Sequence, residues 1–199
     1  MNERYRTVAG RGQASFEISG SEFIGHVSPA ESVEAAEEFI DRISAEYDDA
    51  THNVPAYRVR AAPLREWSSD DNEPSGSAGK PALNVLQQEK LENVVAVVTR
   101  YYGGTKLGVG GLARSYSRGV KDAIEDASIV EERPHERFSI TVEYDDSGTV
   151  RGILESNETE FEASYEETVV FEVRVPKADG SELRDQIRSA TSGRAAFEY

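Results

Sequence analysis

Apolar and polar residues recur along the first half of the chain with periods that predict both strands and helices. Residues 15–28 hold short alternating apolar runs around a polar break, which predicts a β-hairpin. Residues 29–47 carry apolar side chains at three- and four-residue steps, which predicts a helix opened by a capping box at Ser28–Glu31. Residues 54–60 alternate as a strand, and Pro55 favours a sheet edge for it.

The middle of the chain combines a long apolar run with two glycine-rich segments. Residues 93–100 are almost continuously apolar, as is typical of a central strand buried on both faces. Apolar residues from Leu112 onward at three- and four-residue steps predict a helix to about residue 128. The turn-rich segments 68–81 and 101–111 are predicted as loops, each leading into a helix. Pro81 opens the first of these helices, with Leu83 and Leu86 facing inward.

The last third of the chain has its own order of elements. The predicted elements are strand 137–144, helix 146–156, strands 159–165 and 168–175, helix 180–190 and strand 194–199. This βαββαβ order is the ferredoxin-like pattern. The polar segment 131–136 contains a proline and is predicted as a linker. We therefore expect an α+β protein with an N-terminal domain over 1–130 and a C-terminal domain over 137–199.

Composition limits the kind of protein. The chain has 199 residues, 37 acids, 22 bases and no cysteine, giving a net charge of −15. The missing thiols exclude disulfides, thiolate catalysis and Cys-type metal centres. High acid content with only five lysines resembles the salt-adapted surfaces of halophilic proteins. The longest aliphatic run, Val94–Val98, is too short for a membrane span. We expect a cytoplasmic monomer that does not bind membranes.

The charge is distributed unevenly. Residues 50–121 carry a net charge of +4, and residues 93–121 contain five bases and no acid. Three of these bases, Arg114, Arg118 and Lys121, fall on one face of the predicted helix. An electropositive segment in a very acidic chain is the expected footprint of a phosphate or other anionic partner.

Both glycine-rich loops lead into helix N-termini, where unpaired N–H groups favour anions. The glycines concerned are Gly76, Gly79, Gly103, Gly104, Gly108, Gly110 and Gly111. The cations predicted to complete the site are Lys80, Arg100, Lys106, Arg114 and Arg118. The alternative is that these glycines only form tight turns. The spacing fits neither a P-loop nor a dinucleotide-binding loop.

An acidic cluster and two histidines offer other chemistry. Asp70, Asp71 and Glu73 are carboxylates of the type that bind a divalent metal. We favour the alternative that they cap turns or pair with Arg100 or Arg114, and we predict no metal or cofactor. His26 and His52 are candidate general bases, but such histidines are more often buried and hydrogen-bonded.

Aromatic residues near the basic segment are candidates for stacking on nucleotide bases. They are Tyr57, Trp67, Tyr101 and Tyr102. Aromatics beside strands usually belong to the core, so we expect about one of them to have such a surface role.

Three stretches of the sequence resemble the IMPACT family in its two-domain YigZ-type form. They are THNV at 51–54 followed by AYR at 56–58, DDNEPSGSAGKP at 70–81, and VVTRYYGGTKLGVGGLARSYS at 97–117. The family tends to have Gly at Asn72, Thr at Ser77 and Phe at Tyr102, so this chain departs from the pattern at those positions.

The resemblance implies a two-layer N-terminal domain, of a type also seen in a ribosomal protein and in translocase domains. It implies a C-terminal domain similar to the end of elongation factor G. Eukaryotic relatives restrain a translational stress kinase by competing for its activator.

Three hypotheses for function follow. The first is a non-enzymatic regulator of translation or stress response that binds RNA or the ribosome through the basic glycine-rich face. In it, Tyr101 or Tyr102 stacks on a splayed base. The second is an enzyme acting on a small phosphorylated or peptide substrate at the acidic cluster Asp70, Asp71 and Glu73 together with His52. The third is a protein-interaction module that grips a protein partner with the same surface.

Overall fold

The computed structural model describes residues 4–61 and 63–199. The chain divides into two compact units, one over Tyr5–Glu132 and one containing residues 133–199 together with Arg4. Each unit has its own hydrophobic core.

The N-terminal unit contains seven strands and three helices among its described residues. The strands are β1 (Tyr5–Val8), β2 (Gly12–Ile18), β3 (Ser21–Pro29), β4 (His52–Val59), β5 (Arg65–Ser68), β6 (Val94–Tyr101) and β7 (Ile129–Glu132). The helices are α1 (Val33–Glu46), α2 (Gly79–Gln88) and α3 (Gly108–Ala127). Five strands form one antiparallel sheet in the order β2-β3-β6-β4-β5. β1 and β7 pair with each other as a separate antiparallel ribbon.

β6 is the middle strand of the sheet, as its apolar run predicts. Val94, Ala96 and Val98 point into the core formed with α2 and α3, whereas Val95 and Val97 pack with α1. The sheet is therefore covered by helices on both faces. α1 adds a third layer to the two that the resemblance implies, within the α+β class that the structure confirms.

The β2–β3 hairpin is also confirmed. Ser19 and Gly20 form its two-residue turn with φ of 51° and 81°. Positive φ at both positions is the requirement of a type I′ turn, which matches the twist of the two strands.

The start of α1 and the place of β4 differ from the predictions. Ser28 and Pro29 belong to β3, and Ser32 caps α1 by accepting a hydrogen bond from the N–H of Ala35. The capping box proposed at Ser28 is therefore wrong, because Ser32 offers the same hydroxyl nearer the apolar stripe.

β4 lies between β6 and β5, so the prediction of an edge strand is also wrong. Pro55 is tolerated there because β5 pairs only as far as Ala56. The carbonyl of Pro55 accepts from Ser69 N on the β5 side. In an antiparallel strand the N–H and C=O of one residue face the same neighbouring strand. The N–H that Pro55 lacks would therefore face β5, beyond the last residue of β4 that pairs with β5.

The C-terminal unit has the predicted βαββαβ order. Its elements are β8 (His135–Val142), α4 (Tyr144–Ser156), β9 (Glu160–Tyr165), β10 (Val169–Pro176), α5 (Gly180–Ala190) and β11 (Ala196–Glu198). The strands are antiparallel in the order β11-β8-β10-β9, which is the ferredoxin-like arrangement. Residues 131–136, predicted as a linker, include the end of β7 and the start of β8.

Candidate nucleic-acid interface

The first glycine-rich loop is held by the carboxylate of Asp70. Its Oδ1 accepts hydrogen bonds from the N–H groups of Ala78 (3.0 Å) and Gly79 (2.8 Å), and Oδ2 accepts from Gly76 N (2.8 Å). Burial opposes ionisation of this carboxyl, but the three N–H donors outweigh it and lower its pKa. The N-terminus of α2 is thus occupied by an anion of the protein itself. The anion site predicted at Gly76 and Gly79 is therefore already filled.

Asp71 fastens the same loop to the start of β4. Its Oδ2 accepts from the N–H of Asn53 at 2.6 Å, and its carbonyl accepts from Nδ1–H of His52 at 2.7 Å. Asn72, which stands where the family tends to have Gly, has a φ of 67°. Asn tolerates this left-handed conformation better than most residues with a side chain, so the turn is kept.

Glu73 is the centre of a buried polar cluster. Its Oε1 accepts hydrogen bonds from Arg100 (2.5 Å) and from the hydroxyl of Tyr116 (2.6 Å), and lies 3.6 Å from Nε2 of His52. Burial, followed by the hydrogen bond to Glu73, raises the pKa of the Tyr116 hydroxyl. The pairing of the acidic cluster with Arg100 is thus confirmed for Glu73. The cluster ties the first loop to β6 and α3.

Arg100 joins both glycine-rich loops from beneath. It is 4% exposed, and its guanidinium lies over the rings of Phe23 and Tyr102 at 5.4 and 5.3 Å. Its Nη2 donates to Ser21 Oγ, which also accepts from Gly103 N. Arg100 is therefore a buried organiser of the loops. It is not placed as the surface phosphate donor that the sequence predicts.

The second glycine-rich segment is shorter as a loop than predicted. Gly108, Gly110 and Gly111 lie in the first turn of α3, so only residues 102–107 remain as loop. The helix begins after Leu107 without a side-chain cap and without an acid in its first turn. This N-terminus differs from that of α2, where Asp70 fills the amides.

Gly103 and Gly104 shape the remaining loop. A Cβ at Gly103 would overlap the backbone of Gly20, and Gly104 has a φ of 88°. Tyr101 donates its hydroxyl to Asp49 at 2.6 Å, and this hydrogen bond raises its pKa to about 12. Tyr101 is therefore engaged within the protein.

A groove of about 420 Å³ runs between α2 and α3. The side chains that line it are Pro81, Asn84, Val85, Gln88, Ala113, Arg114, Ser117, Arg118 and Lys121. It contains the three bases predicted on one face of α3, and its lining, among the residues described, includes no acid. Arg118 donates to Asp122, whereas Arg114 and Lys121 have no ion pair within the described residues.

Lys80 and Lys106 are exposed at the starts of α2 and α3. They stay predictions as anion-binding residues, together with Arg114 and Arg118.

The other candidate residues have structural roles. His26 is 3% exposed, and burial lowers its pKa to about 4, so it is not placed to act on a substrate. Trp67 stacks on Tyr57 at 5.6 Å, on the α1 side of the sheet and opposite the groove. Among the described residues, no group of three or more acids and histidines has the geometry to hold a metal ion.

Sequence reasoning missed Asn84, Gln88, Ser117 and Tyr116. Asn84 and Gln88 are four residues apart on the side of α2 away from Leu83 and Leu86, and that spacing was a usable signal. Tyr116 belongs to the apolar stripe of α3, so its hydrogen bond to Glu73 could not be read from the pattern.

The fold and the site together define a two-domain α+β protein. Its first domain has an acidic loop held by internal hydrogen bonds and a groove with basic residues between α2 and α3, and its second domain is ferredoxin-like. The family described as Impact N-terminal domain matches residues 19–124, and the Domain of unknown function (DUF1949) matches residues 140–194. The chain belongs to the IMPACT family.

Relatives support this assignment over almost the full length. The chain is 34% identical over 198 residues to IMPACT family member YvyE of Bacillus subtilis, covering 98% of this chain and 90% of that protein. It is 33% identical to IMPACT family member YigZ of Escherichia coli over 181 residues, covering 89% and 88%. A crystal structure titled as that of a hypothetical protein aligns with a TM-score of 0.71 at 30% identity, covering 99% and 97%.

In the described part of the chain, every helix is too short or too polar to span a bilayer.

Proposed function

We propose that this protein is a non-enzymatic regulator of translation that binds RNA on the ribosome through the α2–α3 groove. The observation that carries the proposal is the set of three cations, Arg114, Arg118 and Lys121, in one groove lined without an acid among the described residues, with Arg118 alone of the three paired to a carboxylate, that of Asp122 beside the groove. In a chain of net charge −15, such a surface has the charge expected for a phosphate-binding site.

The neighbouring end of α3 supports the same proposal. Its first turn offers backbone N–H groups without a side-chain cap, and glycines there allow close approach. A Cβ at Gly110 would lie 3.4 Å from Nη1 of Arg114, so this guanidinium lies close to the first turn. Cation and amides together suit a phosphate group. The role in translation itself follows the resemblance to domains of ribosomal proteins and elongation factors.

The acidic loop supports a non-enzymatic role less directly. Asp70 and Glu73 are committed to protein donors, and those contacts hold the loop that precedes α2. A reaction at this loop would have to break the contacts that maintain its shape.

The test is co-sedimentation with ribosomes and with ribosomal RNA freed of protein, at the salt concentration of the source cell. The variant is Arg114→Glu/Lys121→Glu, which changes two exposed groove residues. Arg100 is left intact because its substitution would disturb the buried cluster. Arg42→Glu is the control for charge reversal outside the groove, since Arg42 lies on α1 across the sheet.

We expect the native protein and the Arg42 variant to pellet, and the groove variant to remain in the supernatant. Failure of the native protein to pellet with either particle contradicts the proposal. Pelleting that survives nuclease digestion and groove substitution favours a protein-interaction module instead.

A further inference from the structure

We infer that the α2–α3 groove recognises the sugar–phosphate backbone of double-helical RNA, and not unpaired bases. This inference rests on the proposed function and specifies the class of RNA. Three features of the groove support it: the absence of aromatic rings from its described lining, the spacing of its cations, and its free amide side chains.

The groove, as far as the structure describes its lining, has no aromatic ring for stacking. Proteins that bind single strands stack the bases on aromatic rings, and sequence-specific RNA recognition usually uses splayed bases in this way. The groove lining, as described, has no aromatic residue. The exposed ring of Tyr102 lies over Arg100 at the end of β6, and Trp67 is on the opposite side of the sheet. The described groove therefore offers a base face no aromatic ring, and only the guanidinium planes of Arg114 and Arg118 could stack there.

The cations are spaced along one helix in a straight row. From Arg114 to Lys121 there are seven residue steps along α3, which is about 10 Å at 1.5 Å per step. One strand of B-form DNA advances about 3.4 Å along the duplex axis for each phosphate, so a duplex of similar rise lying along α3 presents about three phosphates over this length. A regular row of phosphates is what a duplex presents, whereas a flexible strand must be ordered at an entropic cost.

Amide and hydroxyl groups lie beside the cations on the groove wall. Asn84 is half-buried and Gln88 is exposed, and neither side chain has a hydrogen-bond partner among the described residues. Ser117 donates to the carbonyl of Pro81 at 3.3 Å and keeps lone pairs to accept. Such groups both donate and accept, as the ribose 2′-hydroxyl does, and this group distinguishes RNA from DNA. The groove can therefore prefer RNA without reading sequence.

The test measures binding by fluorescence anisotropy with four probes and the full-length protein. The probes are an RNA duplex of about 16 base pairs, a non-pairing RNA strand of equal length, the matching DNA duplex, and an RNA duplex of unrelated sequence. The variants are Lys121→Ala, Asn84→Ala and Tyr102→Ala, with Arg42→Ala as the control. Circular dichroism and thermal melting confirm that each variant is folded.

We expect the RNA duplexes to bind equally and at least about tenfold more tightly than the single strand. Lys121→Ala is expected to reduce the slope of log affinity against log salt by about 1, as loss of one phosphate contact does. Asn84→Ala is expected to reduce the preference for RNA over DNA. Tyr102→Ala and Arg42→Ala are expected to leave the duplex affinity unchanged.

A single strand that binds as tightly as the duplex, or a loss of binding in Tyr102→Ala, overturns this inference but leaves RNA binding itself in place. Equal affinity for RNA and DNA duplexes overturns the role given to the amide groups. If none of the four probes binds, the proposed RNA-binding function fails and this inference fails with it.

Discussion

At the residue scale, the contact between Glu73 and Arg100 is a buried ion pair that joins the first loop to β6. Their side chains are 4% and 5% exposed, and Glu73 accepts from Arg100 and Tyr116 through the same oxygen. Nε of Arg100 is buried without a partner among the described residues. Removing one charge from such a pair leaves the other uncompensated in a dry site, which costs more than the pair contributes.

We therefore expect Glu73→Ala to lower the free energy of unfolding by about 3–5 kcal/mol, measured by chemical denaturation. Replacing both partners in Glu73→Leu/Arg100→Met removes both charges and should recover part of the loss, because the buried Tyr116 hydroxyl still loses its acceptor. A double variant as unstable as Glu73→Ala would show that the shape of the cluster matters more than its charge.

His26 predicts a dependence of stability on pH. It donates Nε2–H to Thr99 Oγ1, because the Thr99 hydroxyl itself donates to Asn53. Burial lowers the pKa of His26 from 6.5 to about 4. As the pH falls from 6.5 toward 4, the unfolded chain binds a proton that the folded chain excludes. The stability present above pH 6.5 is lost in this window by up to about 1.4 kcal/mol per pH unit.

Comparison with His26→Gln isolates this effect from the carboxylates that also titrate on acidification. The native protein should lose stability more steeply than the variant between pH 6.5 and 4. Parallel profiles for the two proteins would contradict a buried neutral His26.

The burial of individual charged side chains could not be predicted from the sequence. The sequence identified Asp70, Glu73 and Arg100 as chemically notable, but it could not tell a surface donor from a buried one. Arg100 is the last residue but one of β6, a strand of buried valines, and its partner Glu73 is 27 residues away in the chain. The first glycine-rich loop folds back over β6 and so brings Glu73 to Arg100. The local spacing of apolar and polar residues does not predict where a loop of this kind lies.

At the scale of elements, α3 sits so close to the sheet that two glycines meet. A Cβ at Gly25 of β3 would overlap the carbonyl oxygen of Gly119. The close approach lets the ring of Tyr116 meet Phe23 edge-on at 5.4 Å and reach Glu73. The position of the groove bases thus depends on a glycine on the neighbouring strand.

We expect Gly25→Ala to destabilise the N-terminal unit by about 3 kcal/mol or more, because backbone must move to admit the methyl group. Gly148→Ala in α4 is the control, since its Cβ would meet nothing within 4 Å among the described atoms. That variant should gain up to about 1 kcal/mol from helix propensity. Thermal melting of both variants checks the contrast, and a neutral Gly25→Ala would contradict the close packing.

The elements themselves were largely predictable from periodicity. The hairpin, the central strand and the βαββαβ order needed only alternating or helical spacing. β1, β5 and β7 were missed because each has four residues, too few for a period to be read. The sequence predicted β4 as an edge strand because of Pro55, whereas β4 lies inside the sheet. Pro55 is compatible with that position because β5 ends its pairing at Ala56, and the sequence does not reveal where β5 ends.

At the scale of the whole molecule, charge sets opposite demands on folding and binding. In a folded chain of net charge −15 the carboxylates repel one another, which destabilises the compact state. Salt screens this repulsion, and the screening length is about 10 Å at 0.1 M and about 3 Å at 1 M. The same screening weakens contacts with phosphate. Hydrogen bonds from Asn84, Gln88 and the first turn of α3 would therefore carry more of the binding in a salty cell.

We expect the melting temperature to rise between about 0.1 M and 1 M NaCl, where the screening length becomes shorter than most charge separations. Choline chloride at equal ionic strength serves as a control for effects specific to sodium. A melting temperature independent of both salts would mean that the acids are already spaced widely enough to be neutral in their effect on folding.

The ribbon of β1 and β7 has a mechanical consequence. Tyr5 pairs with Glu132 and Val8 with Ile129, so the two ends of the N-terminal unit lie side by side. A pull applied across these ends would load the ribbon as a zipper, one pair at a time, and not in shear across all pairs together. The pull would also load the residues before β6, because Glu92 N–H donates to the carbonyl of Arg6 and the Thr7 hydroxyl donates to the carbonyl of Asn93. The ribbon would therefore open together with these contacts, before the five-stranded sheet itself separates.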